Sequence, residues 1–441
     1  MKIINTLSGQ KEILHTQRDK EVKMYVCGIT PYDYAHVGHG RCYVTFDLLF
    51  RVLNSIGYSV TYCRNYTDID DKILMRAAEQ LGSAAQYAEI TKTFITAFKE
   101  DLRNLNCISP SIEPRVTDSI DIILTFISKL IDAGKAYVVN GDVYYDVSTF
   151  PSYGKLSKQK LNELRSGARV DVREEKKSPL DFALWKNETD GVSWKSPWGY
   201  GRPGWHIECS AMAAHYLGEQ IDIHAGGADL IFPHHENEIA QSEGLFEKQF
   251  AKYWMHNGFV MINKEKMSKS LNNFFTLRDV FARFDPMVVR FYILNHHYRS
   301  PLDFSFDDLT SIQKSYQRLC KFFATVDAAL EGVAKESTVV AQMLDFLRDD
   351  LNTSGMWGVL FDSLPLLQKD KNEAAAVKEF LHNTLGLTLL PLPEKEVVIT
   401  PEIQQLLDER QQARAAKDWA RSDTLRDQLA ALGYEVKDKK V

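Results

Sequence analysis

Three lysines stand within six residues in Lys264-Glu265-Lys266-Met267-Ser268-Lys269-Ser270, with two serines among them. Ammonium groups this close repel one another unless a polyanion sits between them. A triphosphate is such a polyanion, and serine hydroxyls and backbone amides of a loop would complete its cradle. The plain alternative for a lysine-serine run is a solvated surface loop. Upstream, His36-Val37-Gly38-His39 follows the apolar run Met24-Tyr25-Val26-Cys27 and precedes the amphipathic run Val44 to Ile56. Strand, glycine-bearing turn and helix are the parts of a βα unit that meets phosphates at the amide-rich helix start. A third set could hold a metal: Cys209, His234 and Glu238 carry zinc-type donors, and Cys27 ends the first strand beside the phosphate turn. Pro233 would open a helix with His234 and Glu238 on one face, and His235 is an alternative ligand. Isoleucine at 239 rules out the two-histidine helix of a zinc protease.

These groups need elements to position them. A strand over 23–27, a helix ending near Gly57 and a second strand over Tyr58 to Arg64 carry the histidine turn. Asn65-Tyr66-Thr67-Asp68-Ile69-Asp70-Asp71 reads as a polar strand end whose acids cap a helix over Lys72 to Gln80 rather than bind a metal. Residues 83 to 135 show helical spacing, with Leu102, Leu105, Ile123, Phe126 and Leu130 placed for packing. Val138 to Val147 alternates as a strand, and the charge-rich Lys155 to Lys177 is an excursion from the sheet domain. Gly199 to Gly204 reads as a loop, Ile207 to Leu217 as a helix, and Gln220 to His224 as a strand. That strand ends in Ala225-Gly226-Gly227-Ala228-Asp229, whose small residues permit close ligand approach. From Ser311 onward the pattern is helical, broken at Pro391 and Pro393. Arg410, Arg414, Lys417 and Arg421 fall on one stripe of a helix, either a salt-bridged face or a phosphate-contacting one.

At 441 residues and 44% hydrophobic content, two to four domains with a substantial interior are expected. A net charge of −6 and a pI near 6.1 argue against wholesale binding of nucleic acid through charge, so any RNA contact must be local. The six cysteines form no Cys-x-x-Cys pair, which favours reduced thiols in the cytoplasm. Met1 to Lys20 lacks the apolar segment of a signal peptide or anchor, and no run reaches the ~18 apolar residues of a membrane span.

In order and separation, the histidine turn and the Lys-Met-Ser-Lys-Ser run resemble the signature pair of class I aminoacyl-tRNA synthetases. Met24 to His39, Arg64 to Lys72, Pro179 to Lys186, Ser196 to Met212, His224 to Glu243 and Lys264 to Asn272 make the chain similar to the cysteinyl-tRNA synthetases over nearly its full length. Pro31 stands where the family pattern calls for an aliphatic residue, a change in the turn that touches no ligand. The resemblance implies an α/β fold, with a Rossmann-like parallel-sheet catalytic domain that carries an insertion and is followed by a mostly α-helical tRNA-binding region. The implied parts are 1–94 and 201–310 as the two catalytic halves, 95–200 as the insertion, 311–395 as a helical stem domain and 396–441 as a terminal helix pair. The family commonly extends further through a small anticodon module, which the last part is expected to lack.

The implied reaction is ATP-dependent ligation of L-cysteine to tRNA(Cys) through a cysteinyl-adenylate, by a monomer without membrane contact. Carried over residue by residue, Cys27, Cys209, His234 and Glu238 hold one Zn2+, and Mg2+ arrives with ATP. Zinc meets a physical need: translation demands a preference for cysteine over serine on the order of 10⁴ to 10⁵, which shape cannot supply. A zinc ion binds soft thiolate far better than a neutral hydroxyl, so no editing domain is required. His36, His39, Lys266 and Lys269 form the implied catalytic set, joined at ATP by Gly38, Asp229 and Ser268. Gly28, Thr67, Trp205, His224 and Asp229 are the implied cysteine pocket. The rivals are a cysteine:amino-sugar ligase of the mycothiol type and a non-catalytic paralogue that binds zinc or tRNA. Leu347 to Thr353 and Arg410 to Gly433 resemble the family's helical portions and favour the tRNA enzyme.

Overall fold

The computed structural model describes residues 1–159, 176–262, 264–266, 274–327, 337–392 and 401–431. Two compact units divide the chain, Met1–Leu390 and Pro391–Val441.

In the first unit, Lys2–Asn5 (β1) and Gln10–Ile13 (β2) form an antiparallel ribbon. Glu21–Ile29 (β3) follows, with Val22, Met24, Tyr25 and Val26 buried, the near-continuous apolar run of a parallel strand covered on both faces. Val37–Ser55 (α1) leads to Ser59–Tyr66 (β4), parallel to β3. Asp71–Leu81 (α2) starts from Asp70, whose side chain accepts from the Lys72 amide at 2.9 Å. Of the three acids expected to cap, Asp68 does not. It accepts from the amide and hydroxyl of Thr117, drawn there because Arg115 bridges alongside Tyr66 at the end of β4.

Tyr87–Asn104 (α3) and Ile120–Asp132 (α4) occupy the stretch of helical spacing. Beyond them lies an antiparallel sheet in the order β5-β6-β7-β9-β8, made of Ala136–Val139 (β5), Asp142–Tyr145 (β6), Phe182–Asn187 (β7), Trp194–Ser196 (β8) and Gly199–Pro203 (β9). The single strand expected over Val138 to Val147 is instead a hairpin. Asn140 and Gly141 both take positive φ (53° and 90°), the two-residue turn whose twist suits antiparallel strands. The loop expected at 199–203 is a strand because its backbone pairs with both β7 and β8.

Trp205–Tyr216 (α5) returns the chain to Ile221–Gly227 (β10), parallel to β3, and Glu236–Phe246 (α6) connects to Ala251–Asn257 (β11), parallel to β10. The resulting parallel sheet has the order β11-β10-β3-β4. From β3 the chain moves to β4 on one side, and from β10 to β11 on the other. The carboxyl ends of β3 and β10 therefore flank a topological switch point, where open α/β sheets take their ligands. A small sheet of Val260–Ile262 (β12), Glu265–Lys266 (β13) and Leu302–Asp303 (β14) follows, and then helices, the longer ones Phe306–Ala324, Thr338–Arg348, Thr353–Leu367 and Lys371–Asn383.

The second unit is a helical hairpin of Pro401–Ala415 and Trp419–Ala431, with Ile403, Ala413, Leu425 and Leu429 buried. The expected basic stripe does not form on one helix. Lys417 adopts a left-handed φ of 57° between the two helices, Asp418 accepts from the Arg421 amide at 3.0 Å, and Arg421 pairs with Glu409 at 3.0 Å. Among the described residues no helix is long and apolar enough to cross a membrane.

Candidate active site

The metal-capable residues gather where β3 loosens. Its pairing with β4 shifts register between Val26 and Ile29, which takes Cys27 and Gly28 out of the regular ladder. Gly28 runs so close to β4 that a Cβ would lie 1.5 Å from the Asn65 carbonyl oxygen, and its amide donates to Asn65 Oδ1 at 2.9 Å. Helix α5 supplies Cys209 and α6 supplies Glu238. The helix start expected at Pro233 is displaced: Phe232 is extended (φ −140°, ψ 134°) and the regular helix begins at Glu236. His234 still meets Glu238, Nε2 to Oε1 at 3.1 Å.

Cys27 Sγ lies 4.0 Å from Cys209 Sγ and 3.7 Å from Glu238 Oε1. A zinc tetrahedron with bonds of ~2.3 Å to sulfur and ~2.0 Å to nitrogen or oxygen has edges of about 3.3–3.8 Å. The four donor atoms, all buried and within 4.8 Å of one another, fit one ion. Cys27, His224, His235 and Glu238 meet the same limit, so the alternative ligand His235 also reaches the cluster, its Nε2 3.2 Å from Cys27 Sγ. Burial pushes the Glu238 carboxyl well above its usual range and the His234 and His235 imidazoles well below theirs, and holds His206, His224 and His256 down at about 3. A cation among them favours the carboxylate and keeps the imidazoles neutral, which suits a metal centre.

A further layer orients these groups, as the outer partners of metal ligands do. His206 Nδ1 meets His234 Nδ1 at 2.9 Å. His235 Nδ1 meets His256 Nε2 at 2.8 Å, and His256 Nδ1 meets Thr6 Oγ1 at 2.8 Å. His206 and His256 escaped the sequence reading. Their signal is density, since six of the chain's twelve histidines fall between 206 and 256.

A cavity of about 370 Å³ opens beside the cluster, lined by Cys27, Gly28, His36, Gly38, His39, Trp205 and Asp229 among others. Trp205 stacks on His234 with ring centroids 4.3 Å apart. Thr67 and His224 lie behind the lining: Thr67 Oγ1 donates to the buried Glu208 at 2.9 Å, and His224 Nε2 sits 2.7 Å from Glu238 Oε2.

At the other end His36 is the N-cap of α1. Its Nδ1 accepts from the His39 amide and its own amide donates to His39 Nδ1, both at 3.2 Å, a reciprocal cap with the rings stacked 3.7 Å apart. Accepting at Nδ1 puts each neutral ring's proton on Nε2, the nitrogen that can donate to a phosphate oxygen. The segment after the lysine run is stitched to this turn: Val37 N donates to Phe275 O at 3.2 Å and Leu277 N to Ala35 O at 2.7 Å. Arg41, buried on α1 and pulled down to about 10 by burial, donates to the carbonyls of Phe259 (2.9 Å), Tyr298 (3.1 Å) and Ser300. It thus ties the histidine helix to the chain just before β12 and just before β14 of the small sheet.

The lysine run begins as a hairpin rather than a loop. Lys264 turns with φ 65°, its amide donates to Asp303 Oδ1 at 3.1 Å, and Glu265–Lys266 pair antiparallel with Met261 and Ile262. Ser268, Lys269 and Ser270 lie outside the described residues. Beyond the run, Arg278 is held by Asp101 at 3.1 Å and Glu100 at 2.5 Å, and burial pushes the Asp101 carboxyl up to about 6.

Residues 13–314 match a family model described as the class I (C) tRNA synthetase catalytic domain, and residues 398–441 match the cysteinyl-tRNA ligase anticodon binding domain. The second match covers the segment in which the sequence reading expects a helix pair without an anticodon module. Among solved structures, methionyl-tRNA synthetase of Mycobacterium tuberculosis in complex with methionyl-adenylate is similar (TM-score 0.59, 14% identity, 91% of this chain and 96% of that one). So is the leucyl enzyme of Agrobacterium radiobacter in its ternary complex (TM-score 0.59, 12% identity, 86% and 85%). Parallel sheet, histidine turn and these likenesses define a class I aminoacyl-tRNA synthetase. Curated relatives are closer in sequence: the cysteine–tRNA ligases of Trichlorobacter lovleyi (45% identical over 99% of this chain and 98% of that protein) and Methylococcus capsulatus (47%, 99% and 98%). The chain belongs to the cysteine–tRNA ligase family.

Proposed function

We propose that the chain activates L-cysteine with ATP to cysteinyl-adenylate and transfers it to the terminal adenosine of tRNA(Cys), with one Zn2+ at Cys27, Cys209, His234 and Glu238. The observation that carries this reading is the buried four-donor cluster, which reaches the cavity of His36 and His39 through Cys27. When bound, zinc supplies an affinity for thiolate that a hydroxyl cannot match, and so prefers cysteine to serine.

The chain's own groups do the remaining work. His36 and His39 donate from Nε2 to phosphate oxygens at the amide-rich start of α1, and Gly38 leaves room for that approach. Lys266, Ser268 and Lys269 offset the charge that builds on departing pyrophosphate, while Mg2+ accompanies ATP. Asp229, at the end of β10, accepts from the substrate ammonium or the ribose. Trp205 closes the pocket over His234, Gly28 lets substrate approach the backbone, and Thr67 and His224 set Glu208 and Glu238 from behind.

We assign 1–94 and 201–310 to the catalytic halves, 95–200 to the insertion, 311–395 to the stem and 396–441 to the terminal anticodon-side part. Supporting this, the parallel sheet draws its strands from 21–66 and 221–257, while 136–203 build a separate antiparallel sheet. We take the chain to act as a monomer in the cytoplasm, the compartment that accords with six unpaired cysteines. An amino-sugar ligase has no use for the segment that matches an anticodon-binding domain. The test is cysteine-dependent ATP–pyrophosphate exchange followed by charging of tRNA(Cys). Both are expected, and exchange without charging would leave the amino-sugar reading standing instead.

A further inference from the structure

Among the described residues that line the cavity, Lys72 is the sole lysine or arginine. Apart from the substrate ammonium, what the reaction brings there carries negative charge: the triphosphate, the substrate carboxylate and the 3′ end of tRNA. Lys72 stands in the first turn of α2, with Nζ 5.5 Å from the centre of the Tyr32 ring, which also lines the cavity. The acids beside it are engaged elsewhere. Asp70 caps α2, and Asp71 pairs with Arg202 at 2.8 Å and Lys186 at 3.6 Å. Lys72 itself has no ion pair among the described residues. A cation without a close ion pair on the wall of a shaped cavity attracts and orients anions there, against the opposing charge of Asp33 and Asp229 in the same lining.

Strand order says which anion. Helix α2 follows β4, one edge of the parallel sheet, whereas Lys264–Lys266 come after β11, the opposite edge, and belong to the small sheet of β12. The chain thus reaches Lys72 and the start of the lysine run from opposite edges, and the run with His36 and His39 is assigned above to the triphosphate. On its own side α2 is fastened to β7 and β9 through the pairs of Asp71 with Lys186 and Arg202, which leaves Lys72 as the lysine on that side that faces the cavity. The polyanion left to accommodate is the single-stranded acceptor end. We propose that Lys72 binds the phosphodiester of the 3′-terminal nucleotide of tRNA and so seats the terminal ribose beside the cysteinyl-adenylate.

This assignment rests on the functional reading above, and the test separates the two. Full-length, zinc-loaded Lys72→Ala and Lys72→Arg proteins are compared with the parent in pyrophosphate exchange and in single-turnover transfer from preformed adenylate to subsaturating tRNA(Cys). Losing one charge-assisted phosphate contact should lower transfer by Lys72→Ala about 10- to 100-fold more than exchange. The slope of log affinity for tRNA against log salt should become shallower by about 0.7, and Lys72→Arg should recover most of the transfer rate. Transfer unaffected by Lys72→Ala, or transfer and exchange falling together, overturns the assignment. A parent protein that neither exchanges nor charges overturns the functional reading instead.

Discussion

At the metal end of the cavity the donors come mostly from regular elements, Cys27 from β3, Cys209 from α5 and Glu238 from α6, and all four are buried with further histidines locked behind them. At the phosphate end two histidines cap one another, and the lysine run hangs from a short hairpin whose flanks are pinned by Arg41, Asp303 and the Arg278 pairs. The contrast follows the two tasks proposed for these ends. Telling sulfur from oxygen depends on donor positions set to tenths of an ångström, so that end is built into the core. Neutralising a triphosphate relies on charge, which acts over several ångströms and tolerates delivery on a hairpin.

Breaking the metal end should have the larger consequence. In Cys209→Ser, metal analysis should find zinc well below one per chain, and kcat/KM for cysteine in pyrophosphate exchange should fall by at least ~10³-fold, the scale of a site that loses its selecting contact. Zinc content equal to the parent's would remove Cys209 from the shell. At the phosphate end, Lys269→Ala should slow adenylate formation by ~10²-fold, the scale of one lost transition-state contact, with zinc content unchanged. An unaltered rate would leave that charge to the other lysines. The smallest effect should come from Asp101, the buried anchor of Arg278. Its folded carboxyl titrates at about 6, above the ordinary 3.8, so the native state holds more protons between those values. Stability therefore falls as pH rises from about 4 to about 6 and is level beyond, in proportion to that difference in bound protons. Urea unfolding of Asp101→Asn across this range should show a flatter slope, and an identical slope would mean that the carboxyl is not held up by burial.

Much of the site was legible in the sequence because its chemistry rests on residue types at fixed spacing. His36, His39, Cys27, Cys209, His234 and Glu238 all come to one cavity or its edge, Cys27 from a strand and the others from helices or helix starts that follow strands. Arg41 was not legible, since a lone arginine in an amphipathic helix gives no sign that it will be buried against three carbonyls from distant turns. His224 and Thr67 were placed one layer too far forward, because alternation along a strand says which face a residue takes but not what stands in front of it. The Asn140-Gly141 turn was available and was passed over in favour of a longer alternation. The basic stripe failed for the converse reason: a regular spacing was extended through Lys417, where the backbone turns left-handed and ends the helix.

The central claim is that a protein-held metal selects sulfur beside the reacting phosphates. The most direct measurement is the ratio of kcat/KM for cysteine over serine in pyrophosphate exchange, taken on zinc-loaded protein and again after chelation and removal of the ion. The account predicts a ratio on the order of 10⁴ or more that collapses with the loss of zinc and returns on its restoration. A ratio that is the same with and without the metal would contradict it.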